Sequence, residues 1–229
     1  MVNSNLLSLL QISDPTLPIG SYAHSNGLET YVQQGIVKDA VTAREFVTEM
    51  LSQNLQYTDA AFVSLAYDAA EQNDLKRILE LDNECTAVKL PRETRQASQK
   101  LGMRLIKIFQ PISKSLIGVE YKKALHHQKA IGHYSIAFGI YANALKISKT
   151  EALTGFYYNA AVGMVTNSVK LVPLGQQDGQ ELLFSLQALI NQLVQTALNP
   201  NPELIGLCCT GFDIRCMQHE QLYSRLYMS

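Results

Sequence analysis

Apolar residues in this chain recur at steps of three and four, and no stretch alternates apolar with polar in the two-residue rhythm of a strand. The cleanest face is Leu182, Leu183, Leu186, Leu189, Ile190, Leu193 and Val194. Phe46, Val47, Met50, Leu51 and Leu55 form a second, and Leu101, Leu105, Ile108 and Phe109 a third. Helix starts are marked as well. Thr42 with Glu45, Ser148 with Glu151, and Asp178 with Glu181 have capping-box spacing, in which the two side chains serve N–H groups the helix leaves unpaired. Asp14-Pro15, Gln72-Asn73-Asp74, Gln110-Pro111, Pro173-Leu174-Gly175 and Asn199-Pro200-Asn201-Pro202 stop or separate helices. These marks predict helices near 25–34, 58–72, 74–87, 91–109, 131–147 and 148–172, with 111–130 the least regular stretch. No repeat or linker divides the chain. The expectation is an all-α fold, a single globular domain over 1–229 of about ten helices.

Two of these helices are rich in small residues: Gly132, Ser135, Ala137, Gly139, Ala142 and Ala144 in one, Ala160, Ala161, Gly163 and Ser168 in the other. Glycine inside a helix costs about 0.5–1 kcal/mol relative to alanine, so close helix contacts are expected there, in a core or across a dimer.

Composition excludes some functions. Lys and Arg number 19 against 20 Asp and Glu, which leaves no basic excess for nucleic acid or an anionic membrane. The charged fraction, 17%, is low, and a charge-poor surface points to large protein contacts. No apolar run reaches the roughly 18 residues of a membrane span, and no basic segment of secretory type follows Met1. Cys85, Cys208, Cys209 and Cys216 form no CxxC pair, which fits a reducing cytoplasm.

The stretch DPTLPIGSYAHSNGLE, residues 14–29, carries the sharpest local chemistry. Its prolines and Gly20 shape a turn, and His24, Ser25 and a carboxylate from Asp14 or Glu29 have the residue types of a hydrolytic triad. Adjacent residues on a helix point about 100° apart, however, and Ser25 as a helix N-cap near Leu28 is the simpler reading. His126, His127 and His133, and likewise Cys208, Cys209, Cys216 and His219, are candidate metal groups without the usual ligand spacing. No phosphate-binding GxxxxGK[ST] is present. Glu93 and Arg95 lie on different faces of one helix, beside Arg104, and read equally as a solvated helix start, with Glu93 favourable near the positive end of the dipole, or as a buried ion-pair group.

Several of these segments together resemble the urease accessory protein F (UreF) family. LLSLLQISDPTLPIGSYAHSNGLE (6–29) resembles its leucine-rich helix, proline turn and SxGLE start, with Asp14 where serine is commoner. ETRQASQKLGMRL (93–105) and GHYSIAFG (132–139) resemble two internal helices. NSVKLVPLGQQDGQ (167–180) is similar to the family's most distinctive block, with Lys170 in the usual arginine position. HEQLYSRLYMS (219–229) resembles its terminal motif, with Tyr227 for phenylalanine.

The resemblance implies an all-α dimeric chaperone of urease maturation in the cytoplasm that is not an enzyme and holds no cofactor or metal of its own. Its implied partners are a D/H-type accessory protein, the urease GTPase G and, within the complex, apo-urease, which receives nickel at the expense of GTP. Both activation and restraint of the GTPase are compatible with it. Three expectations follow for individual residues. The 211–229 tail is mobile alone and orders on the D/H partner through Leu222, Tyr223, Leu226 and Tyr227, with Arg225 locking it by a bidentate bond to a carboxylate or to carbonyls. The 173–176 turn, with Gln176 and nearby Lys170, either reads the 14–29 backbone or touches the GTPase. Tyr22 and Glu29 contribute to a partner face, unless Glu29 is simply solvated on its helix. The competing functions are a small hydrolase using His24 and Ser25, and a direct nickel carrier.

Overall fold

In a computed structural model, which describes residues 4–21, 24–25 and 27–227, the local signals become twelve α-helices with no strand among the described residues. They are α1 (Ser4–Ile12), α2 (Leu28–Gln33), α3 (Ala40–Glu49), α4 (Asp59–Glu71), α5 (Leu75–Val88), α6 (Arg92–Ser113), α7 (Leu116–His126), α8 (Tyr134–Ala144), α9 (Lys149–Leu171), α10 (Gln176–Ser185), α11 (Gln187–Ala197) and α12 (Thr210–His219). A π-helical turn, Met50–Leu55, continues α3, and a 3-10 turn spans Pro202–Leu204. The fold is all-α, as expected, with two α-helices more than the sequence marks predict.

The caps explain where the helices begin, and some differ from expectation. Ser148 and Glu151 form the expected reciprocal box at α9. At α3 the cap lies three residues upstream of the expected one: Asp39 Oδ1 accepts from the Thr42 N–H at 2.9 Å, and Thr42 Oγ1 accepts from the Asp39 N–H at 3.1 Å. Those bonds from Thr42 hold the Asp39 carboxyl below its usual range. At α10, Asp178 reaches back to the Gly175 N–H at 2.8 Å instead of opening a later helix with Glu181. Pro111 does not end α6, which runs two residues further to Ser113. The buried Phe109 anchors that last turn, and Lys114 closes it at φ 51°. The 111–130 stretch holds the regular helix α7, capped by Ser115 on the Gly118 N–H at 3.1 Å.

The core is built on α8, which lies against both α4 and α6. Two glycines permit this. A Cβ on Gly139 would lie 2.6 Å from the Val63 carbonyl oxygen of α4, and one on Gly102 of α6 would lie 2.1 Å from that of Gly132. Here the small residues serve close packing within one chain. Asp82 of α5, fully buried, accepts N–H groups from Ile131, Gly132 and His133 at 2.6, 2.9 and 3.0 Å. It thereby satisfies donors that the start of α8 would otherwise bury unpaired. Next to this centre lies α9, against which α1, α2, α3, α10 and α11 pack. No described helix is long and apolar enough to cross a membrane.

Candidate functional site

The connection from α1 to α2 is shaped as its prolines and glycine imply, and the fold reads its backbone directly. Arg104 of α6 donates to the Ile19 carbonyl at 2.7 Å. Gly20 beside it sits at φ 86°, where a Cβ would stand 2.3 Å from the Arg104 guanidinium. From α9, Asn159 donates to the Ser13 carbonyl at 2.9 Å and Asn167 to the His24 carbonyl at 2.8 Å. Amides do recognise this turn, but they come from α9; Gln176 is exposed at the start of α10, and Lys170 is exposed at the end of α9. A cavity of about 550 Å³ lies between the turn and the body, bordered by His24, Thr58, Asp59, Lys89, Asn159 and Gly163. Lys89 and Asp59 pair there at 2.6 Å. Burial works against the Lys89 charge, but Asp59 outweighs it and leaves the ammonium above its ordinary range.

The triad does not assemble around either proposed carboxylate. Asp14 Oδ1 is taken by the Thr16 N–H and hydroxyl, both at 2.7 Å. Both Glu29 oxygens face the C-terminal segment. Burial, then Lys100 and Arg104, hold His24 below its usual range, against a smaller pull from Glu93. Nor is Ser25 a side-chain cap. The N-cap of α2 is Gly27 at φ 77°, and Ser25 contributes its carbonyl, which accepts from the Leu28 N–H at 3.2 Å. Gly27 is demanded by α12, because a Cβ there would meet Cys216 Sγ at 2.8 Å. Tyr22 lies outside the described residues.

The strongest convergence of polar groups is where α2 and α6 meet the C-terminal segment. Glu29 is 4% exposed, not solvated. Its oxygens accept the Leu226 N–H at 2.6 Å and the Tyr227 N–H at 3.2 Å, and one of them lies 3.1 Å from His219 Nε2. The other imidazole nitrogen, Nδ1, lies 2.8 Å from Glu93 Oε2, while Arg225 donates to Glu93 Oε1 at 2.7 Å. Arg225 thus finds a carboxylate, through one nitrogen instead of two. Further along α2, Thr30 donates to the Arg215 carbonyl at 3.0 Å and Gln33 to the Ser224 carbonyl at 3.2 Å. The Arg215 guanidinium lies over the Tyr31 ring at 5.9 Å.

The 210–219 part of the tail is α12, and 220–227 is made of turns and bends instead of helix, so Leu222, Tyr223, Leu226 and Tyr227 do not share a helix face. Tyr227 is buried, whereas Tyr223 and Leu226 are 106% and 68% exposed. Leu207, Ile214 and Met217 of the same segment are exposed too. Spacing pointed to His219 only as one of a Cys/His group, and left Glu93 open between a solvated helix-start carboxylate and a buried ion-pair partner, of which the structure shows the second. Their common site depends on bringing together residues about 190, 126 and 132 positions apart, which no local pattern encodes.

The candidate metal groups are dispersed. Cys208 is exposed while Cys216 is buried, with its thiol pushed well up by burial. His133 is buried between Thr86 and Ser98, while His126 and His127 are exposed. Among the described residues no three His, Cys, Asp or Glu side chains form a group able to hold a metal ion.

Comparison with known proteins places this architecture. The family model UreF matches residues 37–187. Over 222 residues, 97% of this chain and 98% of the relative, the sequence is 50% identical to the urease accessory protein UreF of Actinobacillus pleuropneumoniae serotype 5b (strain L20). It is 46% identical over 226 residues to the protein of that name from Haemophilus influenzae (strain PittGG), covering 99% of this chain and 96% of the relative. For the UreF of Bacillus sp. (strain TB-90) the identity is 35%, over 99% of this chain and all of the relative.

Proposed function

The chain belongs to the UreF family of urease accessory proteins, and from that membership we propose that it is a non-catalytic adaptor in the maturation of urease. In this reading it acts in the cytoplasm as a homodimer. It binds a D/H-type accessory protein and recruits the urease GTPase, so that GTP-dependent nickel insertion into apo-urease is coupled to assembly.

One observation carries this reading. The segment from Leu207 to Leu226 presents Leu207, Ile214, Met217, Tyr223 and Leu226 to solvent while its polar groups tie it to α2 and α6. Apolar and aromatic side chains held outward on an anchored segment suit a protein interface. Glu29 and Tyr227 lie beneath that segment, so their contribution to a partner face is to hold it; Tyr223 and Leu226 would make the contact. Lys170 and Gln176, exposed around the α9–α10 turn, are the candidate contacts for the GTPase.

Removing 222–229 leaves α12 and its buried Cys216 and His219 in place. The truncated chain should retain its helical circular dichroism and lose co-purification with the D/H-type protein; undiminished binding would overturn the assignment. Lys170→Glu should lower GTPase recruitment, with nucleotide varied, and leave D/H binding unchanged. Equal recruitment would overturn the assignment of Lys170 to the GTPase contact.

A further inference from the structure

The near-balance of charge over the whole chain conceals an uneven distribution. Residues 96–130 hold seven lysines and arginines against one carboxylate, Glu120, while the rest of the chain holds 12 against 19. The seven are Lys100, Arg104 and Lys107 of α6, Lys114 at its end, Lys122 and Lys123 of α7, and Lys129 beyond it, and all are exposed. Among the described residues none of them pairs with a carboxylate, whereas Arg77, Lys89, Lys149 and Arg225 do so at 2.6–2.8 Å.

Their placement is ordered. Positions 100, 104, 107 and 114 step by four, three and seven, so on α6 they form one stripe about 20 Å long. Lys122 of α7 donates to the Gln110 amide oxygen of α6 at 2.8 Å, which holds the second group of cations beside the first. Between α6 and the end of α7 lies a groove of about 490 Å³, lined by Lys100 and Arg104 and by the apolar Met103, Leu125, Ala130 and Ile131. Met103 is 47% exposed there. The helix dipole favours cations in the last turn of α7. It does not account for Lys100 and Lys107, more than a turn inside α6, where like charges at such spacings repel. Arg104 is bound to the Ile19 carbonyl, but among the described residues Lys100 and Lys107 have no hydrogen-bonding partner.

We propose that this face of α6 and α7 docks an acidic segment of a partner protein, which places an apolar side chain in the groove. As part of the adaptor reading above, on which it rests, the face is a third docking surface, built from other residues than the C-terminal segment and the α9–α10 turn. Seven unpaired cations fix the sign of the partner's charge. The apolar lining favours protein over nucleic acid, because a phosphate backbone would leave Met103 and Leu125 uncovered. No exposed aromatic side chain stands among residues 96–130 to stack on bases, since Phe109 and Tyr121 are buried. A lipid surface would leave the recess unfilled. Attraction at this face speeds docking, and salt screens it.

The test compares the full-length chain with the triple variant Lys100→Glu/Lys107→Glu/Lys123→Glu, which changes exposed positions and leaves Arg104 in place. Lys38→Glu/Arg44→Glu/Lys146→Glu matches its net charge on exposed residues elsewhere. Binding to the purified D/H-type protein, GTPase and apo-urease is measured by biolayer interferometry at about 0.05 and 0.3 M salt. At the lower salt the reversal on α6 and α7 should cut affinity for one component by about tenfold or more, chiefly through the on-rate. The matched control should not. Met103→Glu should weaken the same component, and it decides alone if the triple variant does not fold. Affinities that the reversal leaves unchanged, or that the control lowers equally, would overturn the surface and leave the adaptor reading standing. A wild-type chain that binds none of the three would overturn the adaptor reading and this surface with it. Phosphatidylglycerol vesicles, duplex DNA and self-association are measured alongside. If the reversal abolishes one of these and spares the three proteins, the face belongs to lipid, nucleic acid or a second copy, and the proposal fails.

Discussion

Two histidines are fully buried in this molecule, and their surroundings are opposite. His133, at the start of α8, lies between hydroxyls, Thr86 at 2.8 Å and Ser98 at 3.0 Å. The Thr86 hydroxyl donates to the Asp82 carbonyl, so Nε2–H can donate to Thr86 while Ser98 donates to Nδ1. A neutral ring is fully satisfied, and burial lowers its pKa to about 4, against an opposing pull from Asp82. His219 lies between two carboxylates, which a neutral ring cannot satisfy together. The first site belongs to the seam of α4, α5, α6 and α8, set by close packing; the second joins the C-terminal segment to the body through charge. The pair teaches that burial alone does not set a histidine's role. Whether its neighbours can donate decides whether it closes a core network or links two carboxylates.

The contrast breaks most visibly at the seam. Asp82→Ala removes the acceptor of three N–H groups at the buried start of α8. Leaving such donors unpaired should cost about 4 kcal/mol or more of global stability, read as a large fall in the urea midpoint. A loss below about 1 kcal/mol would mean that water replaces the carboxylate and that the seam is looser than its geometry. Acid tests the same site next. The folded pKa of His133 lies below its unfolded value, so the unfolded chain binds more protons, and stability should fall as pH drops from about 6.5 toward 4. At most about 3 kcal/mol is available from this group. Measured urea midpoints should decline across that window and decline less in His133→Gln.

How much of this was legible in the sequence follows the range of each interaction. The all-α class and the Ser148–Glu151 cap are local patterns, and both are present in the fold. So is the need for close approach at Gly139, which follows from the cost of glycine in a helix. Where a local pattern had a competitor, it misled: the Thr42–Glu45 spacing hid Asp39, which caps the same helix one turn earlier. The π-helical turn at 50–55 was invisible because its apolar residues continue the α-helical rhythm. Arg225 could be expected to seek a carboxylate, but nothing short of the fold identifies Glu93. The apparent triad fails for the same reason, since Glu29 is held by chain nearly two hundred residues away.

A milder change should separate the two regions. In Glu29→Gln, an amide NH2 must face one of the donors now served by the carboxylate: the Leu226 N–H, the Tyr227 N–H or His219. The segment should loosen by about 1–3 kcal/mol, typical of hydrogen bonds to a charged group. The core seam is untouched. We therefore expect the Leu226 and Tyr227 amides to lose protection from hydrogen exchange while the urea midpoint moves little. A fall in the midpoint as large as that of Asp82→Ala would instead make the segment part of the cooperative core.

The smallest expected effect is the most discriminating. Arg225 is 37% exposed at its side chain, so its bond to Glu93 is partly screened by water. Arg225→Ala should loosen the segment by about 1 kcal/mol or less, and added salt should shrink the difference from wild type. A difference from wild type that persists unchanged in high salt would show that Arg225 acts by shaping the segment and not through its charge on Glu93.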